Sequence, residues 1–173
     1  MLRTVSVLVA CAFVLGACAG AAPTKAVLPA ETIAQISIVD TTVDVSTIGP
    51  QTAGRTVSAA DVKAALEREA GVLRFEGGAA ATRAQVEITS VNVLTAGQAL
   101  LVGGESVMRG TVTLVDVATG RTLVTPQEIS SGGGGYVLGG IIGAASLEDP
   151  KIEVAQMAKE FMRRARLALV GNN

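Results

Sequence analysis

Histidine and tryptophan are absent from the 173 residues, and three Phe with one Tyr are the only aromatic side chains. Without an imidazole the commonest general base is missing, and the histidine-dependent nucleophilic and zinc sites go with it. The scarcity of rings removes the usual platform for stacking bases, and a net charge of -1 gives no basic field. Nucleic acid is therefore excluded as an expected partner. Cysteine is confined to Cys11 and Cys18, which leaves the rest of the chain without thiols for disulfides, metal or redox chemistry. No G-x-S-x-G, S-x-x-K, P-loop or G-x-G-x-x-G pattern occurs. No cofactor, metal or catalytic residue is expected, and the chain reads as a non-enzyme. What the sequence does hold is Val, Ile, Leu and Ala, which dominate a hydrophobic fraction of 49% and favour strands. The length suits a single core once a leader is set aside.

The leader is explicit. Arg3 supplies a positive start, Val5 to Leu15 an apolar stretch, and Gly16-Ala17 the small residues that a signal peptidase needs. Leu15-Gly16-Ala17-Cys18 resembles the lipobox of bacterial lipoproteins. The resemblance implies cleavage before Cys18, a diacylglycerol on its thiol and an acyl chain, such as palmitate, on its new amine. Residues 1–17 are then the signal peptide, and the membrane is a partner through lipid on Cys18. One methylene buried in a bilayer contributes about 0.8 kcal/mol, so stable attachment takes more than one chain. Two other readings stand beside this one: ordinary cleavage after Ala17-Cys18-Ala19, releasing a soluble protein, and an uncleaved helix over Thr4 to Ala22. Ala19 is not the Asp that retains many lipoproteins at the inner membrane, so the resemblance implies the periplasmic face of the outer membrane. Residues 18–31 are small, unpatterned and broken by Pro, the composition of a tether. At about 3.5 Å per residue its stretch from Ala19 to Ala30 reaches roughly 40 Å.

Residues 32–173 are expected to form one α+β periplasmic domain: a mostly antiparallel four-stranded sheet with helices on one face, in the order β-α-β-β-β-α. The first strand is expected over Thr32 to Ser46, where Ile36 and Ile38 share one parity and Val43 and Val45 the other, implying a bulge near Thr41. Gln85 to Leu94 repeats the change of phase, from Val86 and Ile88 to Val91 and Val93, as two paired strands bending together would. Between them a helix runs from Ser58 to Ala70, with a capping-box pattern at Ser58 and Asp61, staple positions at Val57 and Val62, and Gly71 as its stop. Glu76-Gly77-Gly78 and the alanines after them read as a loop. Glu105 to Val117 alternates with Met108, Val112 and Leu114 inward, and Ala118-Thr119-Gly120 turns into a fourth strand, Arg121 to Ser130. Pro126 cannot donate to a ladder, which places that strand at an edge. Asp149-Pro150 opens a last helix with one apolar face, from Val154 through Met157, Phe161, Met162 and Ala165 to Leu169, ended by Gly171.

If the three later strands form a meander, two connections leave the same end of the sheet, Thr95 to Gly104 and Ser131 to Leu147. Loops are normally polar, yet these carry Leu100, Leu101, Val102, Tyr136, Val137, Leu138, Ile141 and Ile142. Three readings are open. The segments fold back as core; they form a surface for an envelope partner or the bilayer; or they span a membrane. The candidate contacts under the second are Leu100, Leu101, Val102, Tyr136, Leu138, Ile141 and Ile142. Gly135, Gly139 and Gly143 recur every fourth residue, the spacing that lets membrane helices approach, and this suggests self-assembly as the alternative use of residues 131–147. The oligomeric state is left open.

Asp40-Thr41-Thr42 is similar to the aspartic-protease Asp-Thr-Gly, but the Gly is missing and there is no second copy to form a dyad. Asp40 and Asp44 on one strand stand about 13 Å apart and cannot share a proton or a metal. Arg163, Arg164 and Arg166 either meet an anionic envelope surface or offset the dipole of the last helix. The run Arg109 to Arg121 (RGTVTLVDVATGR), followed by a glycine-rich stretch and a terminal helix, resembles several uncharacterised outer-membrane lipoprotein families of Gram-negative bacteria. Some of these are similar to the N-terminal α/β domain of the periplasmic protein TolB. The resemblance implies fold and compartment, and it brings no catalytic residue.

Overall fold

A computed structural model describes residues 25–49 and 57–172. The signal peptide, Cys18 and the first part of the tether lie outside the described residues. The elements are α1 (Ala30–Ile33), β1 (Ile36–Asp44), α2 (Ala59–Glu69), β2 (Phe75–Glu76), β3 (Ala80–Asn92), α3 (Ala96–Leu101), β4 (Gly104–Asp116), β5 (Thr122–Val137), α4 (Ile141–Ala145) and α5 (Pro150–Val170), with a 3-10 turn at Ala70–Leu73.

The class is α+β, with five strands rather than four, in the order β2-β1-β3-β4-β5. The sheet is mixed: β1 and β3 run parallel, because the chain crosses over through α2 between them, and the other three pairings are antiparallel. The added strand β2 is two residues long, Phe75–Glu76, and takes Glu76 from the start of the stretch expected to be loop. The neighbouring alanines Ala80 and Ala81 open β3. Expected to start at Thr32, β1 begins at Ile36, and a helical turn occupies Ala30–Ile33 instead.

The parity changes are real and have separate causes. In β1 the register shifts between Ile38 and Asp40, so Ile36, Ile38, Val43 and Val45 all turn to the same core. In β3 the shift lies between Ile88 and Ser90 and faces β4. The two strands do pair, with Val43 opposite Val86, but they do not bend at a shared position.

α2 starts as its sequence demands, with Ser58 Oγ accepting from the Asp61 N–H at 3.0 Å and Val57 and Val62 buried. Gly71 does not stop it; the chain tightens into the 3-10 turn. α5 opens with Asp149 accepting from the Lys151 N–H at 2.8 Å and closes at Gly171, whose φ of 75° a side chain would resist. Its apolar face is buried in full, from Val154 to Leu169, against β5, β4 and α2. Gly120 takes a φ of 70° in the β4–β5 turn. β5 is an edge strand, with β2 at the other edge, and Pro126 sits where its register with β4 shifts, between the partners of Val112 and Leu114.

Two boundaries move. β5 runs on through the glycine run to Val137, with Gly132 opposite Val107 and Gly133 opposite Ser106. A side chain at Gly133 would strike Met157 and the Glu153 carbonyl, so glycine lets α5 lie against the sheet. The tether is also shorter than expected: the Val27 N–H donates to the Ala168 carbonyl at 2.9 Å, and Ala26 and Leu28 pack against the core.

Candidate functional site

The connections after β3 and after β5 leave one end of the sheet and meet there, each as a short helix. α3 is held by a reciprocal capping box: Thr95 Oγ1 accepts from the Gln98 N–H at 3.1 Å, and Gln98 Oε1 from the Thr95 N–H at 3.0 Å. α4 is joined to it through the backbone, since the Gly140 N–H donates to the carbonyls of Ala99 at 3.1 Å and Leu100 at 2.9 Å. These bonds satisfy carbonyls that a six-residue helix would otherwise leave open at its end.

The residues facing inward are small. Ala99 is fully buried, Gly143 is buried, and a side chain on Gly143 would run into the Leu138 carbonyl and Val137. Because small residues take the inner positions, the large ones are turned out. Leu101, Ile141 and Ile142 are 80%, 81% and 87% exposed, and Leu100, Val102, Tyr136 and Leu138 are exposed as well. This inverts the usual amphipathic helix, whose apolar face points to the core. All seven candidate contact residues therefore sit together in water at one end of the domain. Val137 alone of the eight apolar loop residues is partly covered. The structure is incompatible with the fold-back reading for those seven.

The glycine spacing does not make a helical seam. Gly135 lies in β5 with a φ of 74°, Gly139 lies between β5 and α4, and Gly143 lies in α4. Among the described residues no helix is long and apolar enough to cross a membrane, and residues 131–147 are a strand end followed by a five-residue helix. A spanning segment there is ruled out as a helix.

Beneath the exposed end lies a buried polar link that the sequence did not point to. The Leu94 N–H donates to Ser106 Oγ at 2.9 Å, and the Ser106 hydroxyl donates to the Glu153 carboxylate. Ser106 and Glu153 are both buried, as is Ser131, whose hydroxyl donates to the Met157 carbonyl at 2.9 Å. The end of β3, the start of β4 and the first turns of α5 are thereby fastened under α3. The only hint in the sequence was Glu153 on the apolar side of α5. The cleft beside it, between Leu94, Val137, Leu147 and Glu153, holds about 10 Å³, room for one water and no larger ligand.

The remaining candidates are tied into the fold. Asp40 pairs with Arg83 at 2.7 Å, and Asp44 accepts from the Ser46 N–H at 2.8 Å, which holds its carboxyl below the usual carboxylate range. Arg163 and Arg164 both grip Glu160, at 2.7 and 2.6 Å, and Arg164 also donates to the Ser130 carbonyl. Arg166 donates to the Val72 and Arg74 carbonyls and lies over the Phe75 ring at 5.8 Å. These arginines stop short of the last turn of α5, which holds no basic residue, so they brace the helix to its neighbours instead of balancing its dipole. Among the described residues no group of His, Cys, Asp or Glu could hold a metal ion.

No protein-family model matches the chain, and no curated protein matches it. Among solved structures it is similar to a DUF330-family protein from Xanthomonas campestris, at 10% identity over 79% of this chain and 81% of that one, with a TM-score of 0.42. It is also similar to a candidate lipoprotein from Caulobacter crescentus, at 16% identity over 70% of this chain and 86% of that one, with a TM-score of 0.32.

Proposed function

We propose that this chain is a non-enzymatic lipoprotein of the Gram-negative envelope. Acyl chains on Cys18 hold it at the periplasmic face of the outer membrane, and its domain binds another envelope component, or assists envelope assembly, through the end formed by α3, α4 and the tip of β5. The observation that carries this reading is the outward placement of seven large apolar residues by small inward ones. Apolar area left in water forgoes about 25 cal/mol per Å², and a surface built this way gains that free energy only when something covers it. The Leu15-Gly16-Ala17-Cys18 junction supplies the anchor, and the likeness of the hairpin at Arg109 to Arg121 to lipoprotein families with a TolB-like domain supplies the compartment.

Two substitutions test the surface. With Leu101→Asp and Ile141→Asp together, the protein is expected to keep its circular dichroism and denaturation midpoint while losing its crosslink to the envelope component. Unfolding instead would show that these residues are core. Mass spectrometry of the mature N-terminus should find a diacylated, N-acylated Cys18. A Cys18→Ser chain that is still cleaved and still sediments with membranes would remove the anchor. Self-assembly through residues 131–147 has lost its support, because Gly135, Gly139 and Gly143 share no helix face.

A further inference from the structure

We infer that the occupant of the apolar end is the acyl region of the same bilayer that holds Cys18, so that the domain sits tip down, with α3 and α4 dipped into the lipid beside its own anchor. This rests on the anchor and the surface proposed above, and it names the envelope component as lipid. Three observations favour lipid over a protein cover.

The first is composition. The two segments that build the end, residues 94–104 and 129–147, hold no charged residue, and charge resumes behind them at Glu105 and Glu148. A charge within the tip would oppose its transfer out of water. The amide of Gln98 is held in the Thr95 cap. Leu101, Ile141 and Ile142 stand out of the surface with little packed around them. Fluid acyl chains close around such knobs without matching pockets, which a folded protein would have to supply. Tyr136 joins an apolar ring to a hydroxyl, the combination suited to the headgroup level.

The second is backbone. Hydrocarbon offers no hydrogen-bond partner, so a tip that enters it must pair its own peptide groups, and helix ends are the hardest to pair. The Gln98 carbonyl accepts from Val102 and Gly103, and those of Ala99 and Leu100 accept from Gly140. The Gly140 carbonyl accepts from Ala144, and those of Ile142 and Gly143 accept from Ser146. Each of these bonds lies within the two segments and goes with them into the lipid.

The third is reach. The tether joins the body near the C-terminal end of α5, through Val27 and Ala168, whereas the tip lies beyond the N-terminus of the same helix. From Asp149 to Ala168 the rise is about 28 Å. From Cys18 to Val27 the extended chain reaches about 32 Å. Laid back along the helix, it brings the lipid on Cys18 level with the tip. The anchor then holds the tip at high effective concentration against the bilayer, so that a shallow insertion persists.

The chain has no tryptophan, so one introduced by substitution reports its own surroundings. The experiment takes the full lipidated protein carrying Ile142→Trp, and a control carrying Ala118→Trp in the exposed turn at the opposite end of the sheet. Both are reconstituted in phosphatidylcholine vesicles with and without bromine on the acyl chains, and both should float with the vesicles. Bromine should cut the emission of the Ile142→Trp protein about twofold or more, the response of a side chain among acyl chains, and leave the Ala118→Trp protein unchanged. Adding Leu101→Asp and Ile141→Asp should abolish the quenching while flotation, held by Cys18, persists. Flotation without quenching overturns the inference and leaves the anchor standing; if the two aspartates still cost the protein its crosslink to an envelope component, the surface stands as well and its occupant is a protein. Equal quenching of the two tryptophans, or quenching that survives the aspartates, means that the domain meets lipid without using this end, and overturns the inference. Dimers crosslinked through the end in place of quenching assign it to a second copy. Loss of flotation removes the anchor, and the inference with it.

Discussion

The middle of α5 and the end capped by α3 and α4 treat the same kind of side chain in opposite ways. Along α5, Met157, Phe161, Met162 and Leu169 are sealed against the sheet and α2, and Ala158 and Ala165 let the backbones close around them. At the α3–α4 end the small residues take the inner places and the large ones stand in water. Burial in the first region stabilises the fold; exposure in the second contributes nothing to it. Apolar residues that do not stabilise the domain are available to something outside it. Stability and binding are therefore expected to separate along the molecule.

The sharpest way to break that contrast is to cut into the packed side. Phe161→Ala should cost about 3–5 kcal/mol, read as a lower urea midpoint. A smaller loss would mean the core relaxes more than its packing implies. Next comes the polar link beneath the exposed end, where Ser106→Ala strips a partner from the Leu94 N–H and from the Glu153 carboxylate. A loss of about 2–3 kcal/mol is expected in the same measurement, with amide exchange rising first around Leu94.

Glu160 is held at about 2, from 4.5, by the hydrogen bond from Arg163, assisted by Arg164 and opposed by desolvation. Its folded value lies below the unfolded one, so its contribution is complete above pH 4.5 and is lost as the pH falls toward 2. Glu160→Gln should cost about 1–2 kcal/mol at neutral pH and flatten the stability profile across that acid interval, seen in urea titrations at several pH values. The smallest effect belongs to the other region. Ile142→Ser should move stability by less than about 0.5 kcal/mol, and a larger loss would erase the distinction between the two regions.

How much of this was legible follows from where the physics is local. Asp149-Pro150, the 3.6-residue spacing from Val154 to Leu169, the Ser58 cap and the turn at Gly120 all act within a few residues, and each is where the sequence puts it. The parallel pairing of β1 with β3, the two-residue β2 and the passage of β5 through Gly132 to Gly135 depend on partners far along the chain. Glycine carries no hydrophobic period, so a strand through it leaves no pattern to read. The tether misled for a related reason: Ala26, Val27 and Leu28 look like spacer until Ala168 arrives beside them. At the candidate site the unusual composition of both connections was plain. Their outward orientation was not, because it is set by Ala99 and Gly143 packing inward and by backbone bonds between two helices that the hydrophobic pattern does not announce.

The contact of Gly133 with Met157 and Glu153 decides where the chain tolerates added material. A scan for low complexity would choose the run from Gly132 to Gly135 as a harmless place to splice in an epitope tag, yet growth at Gly133 pries the long helix off its sheet. Thr119-Gly120, exposed at the opposite end of the same strand and closing a turn with open space around it, is the better port for a label.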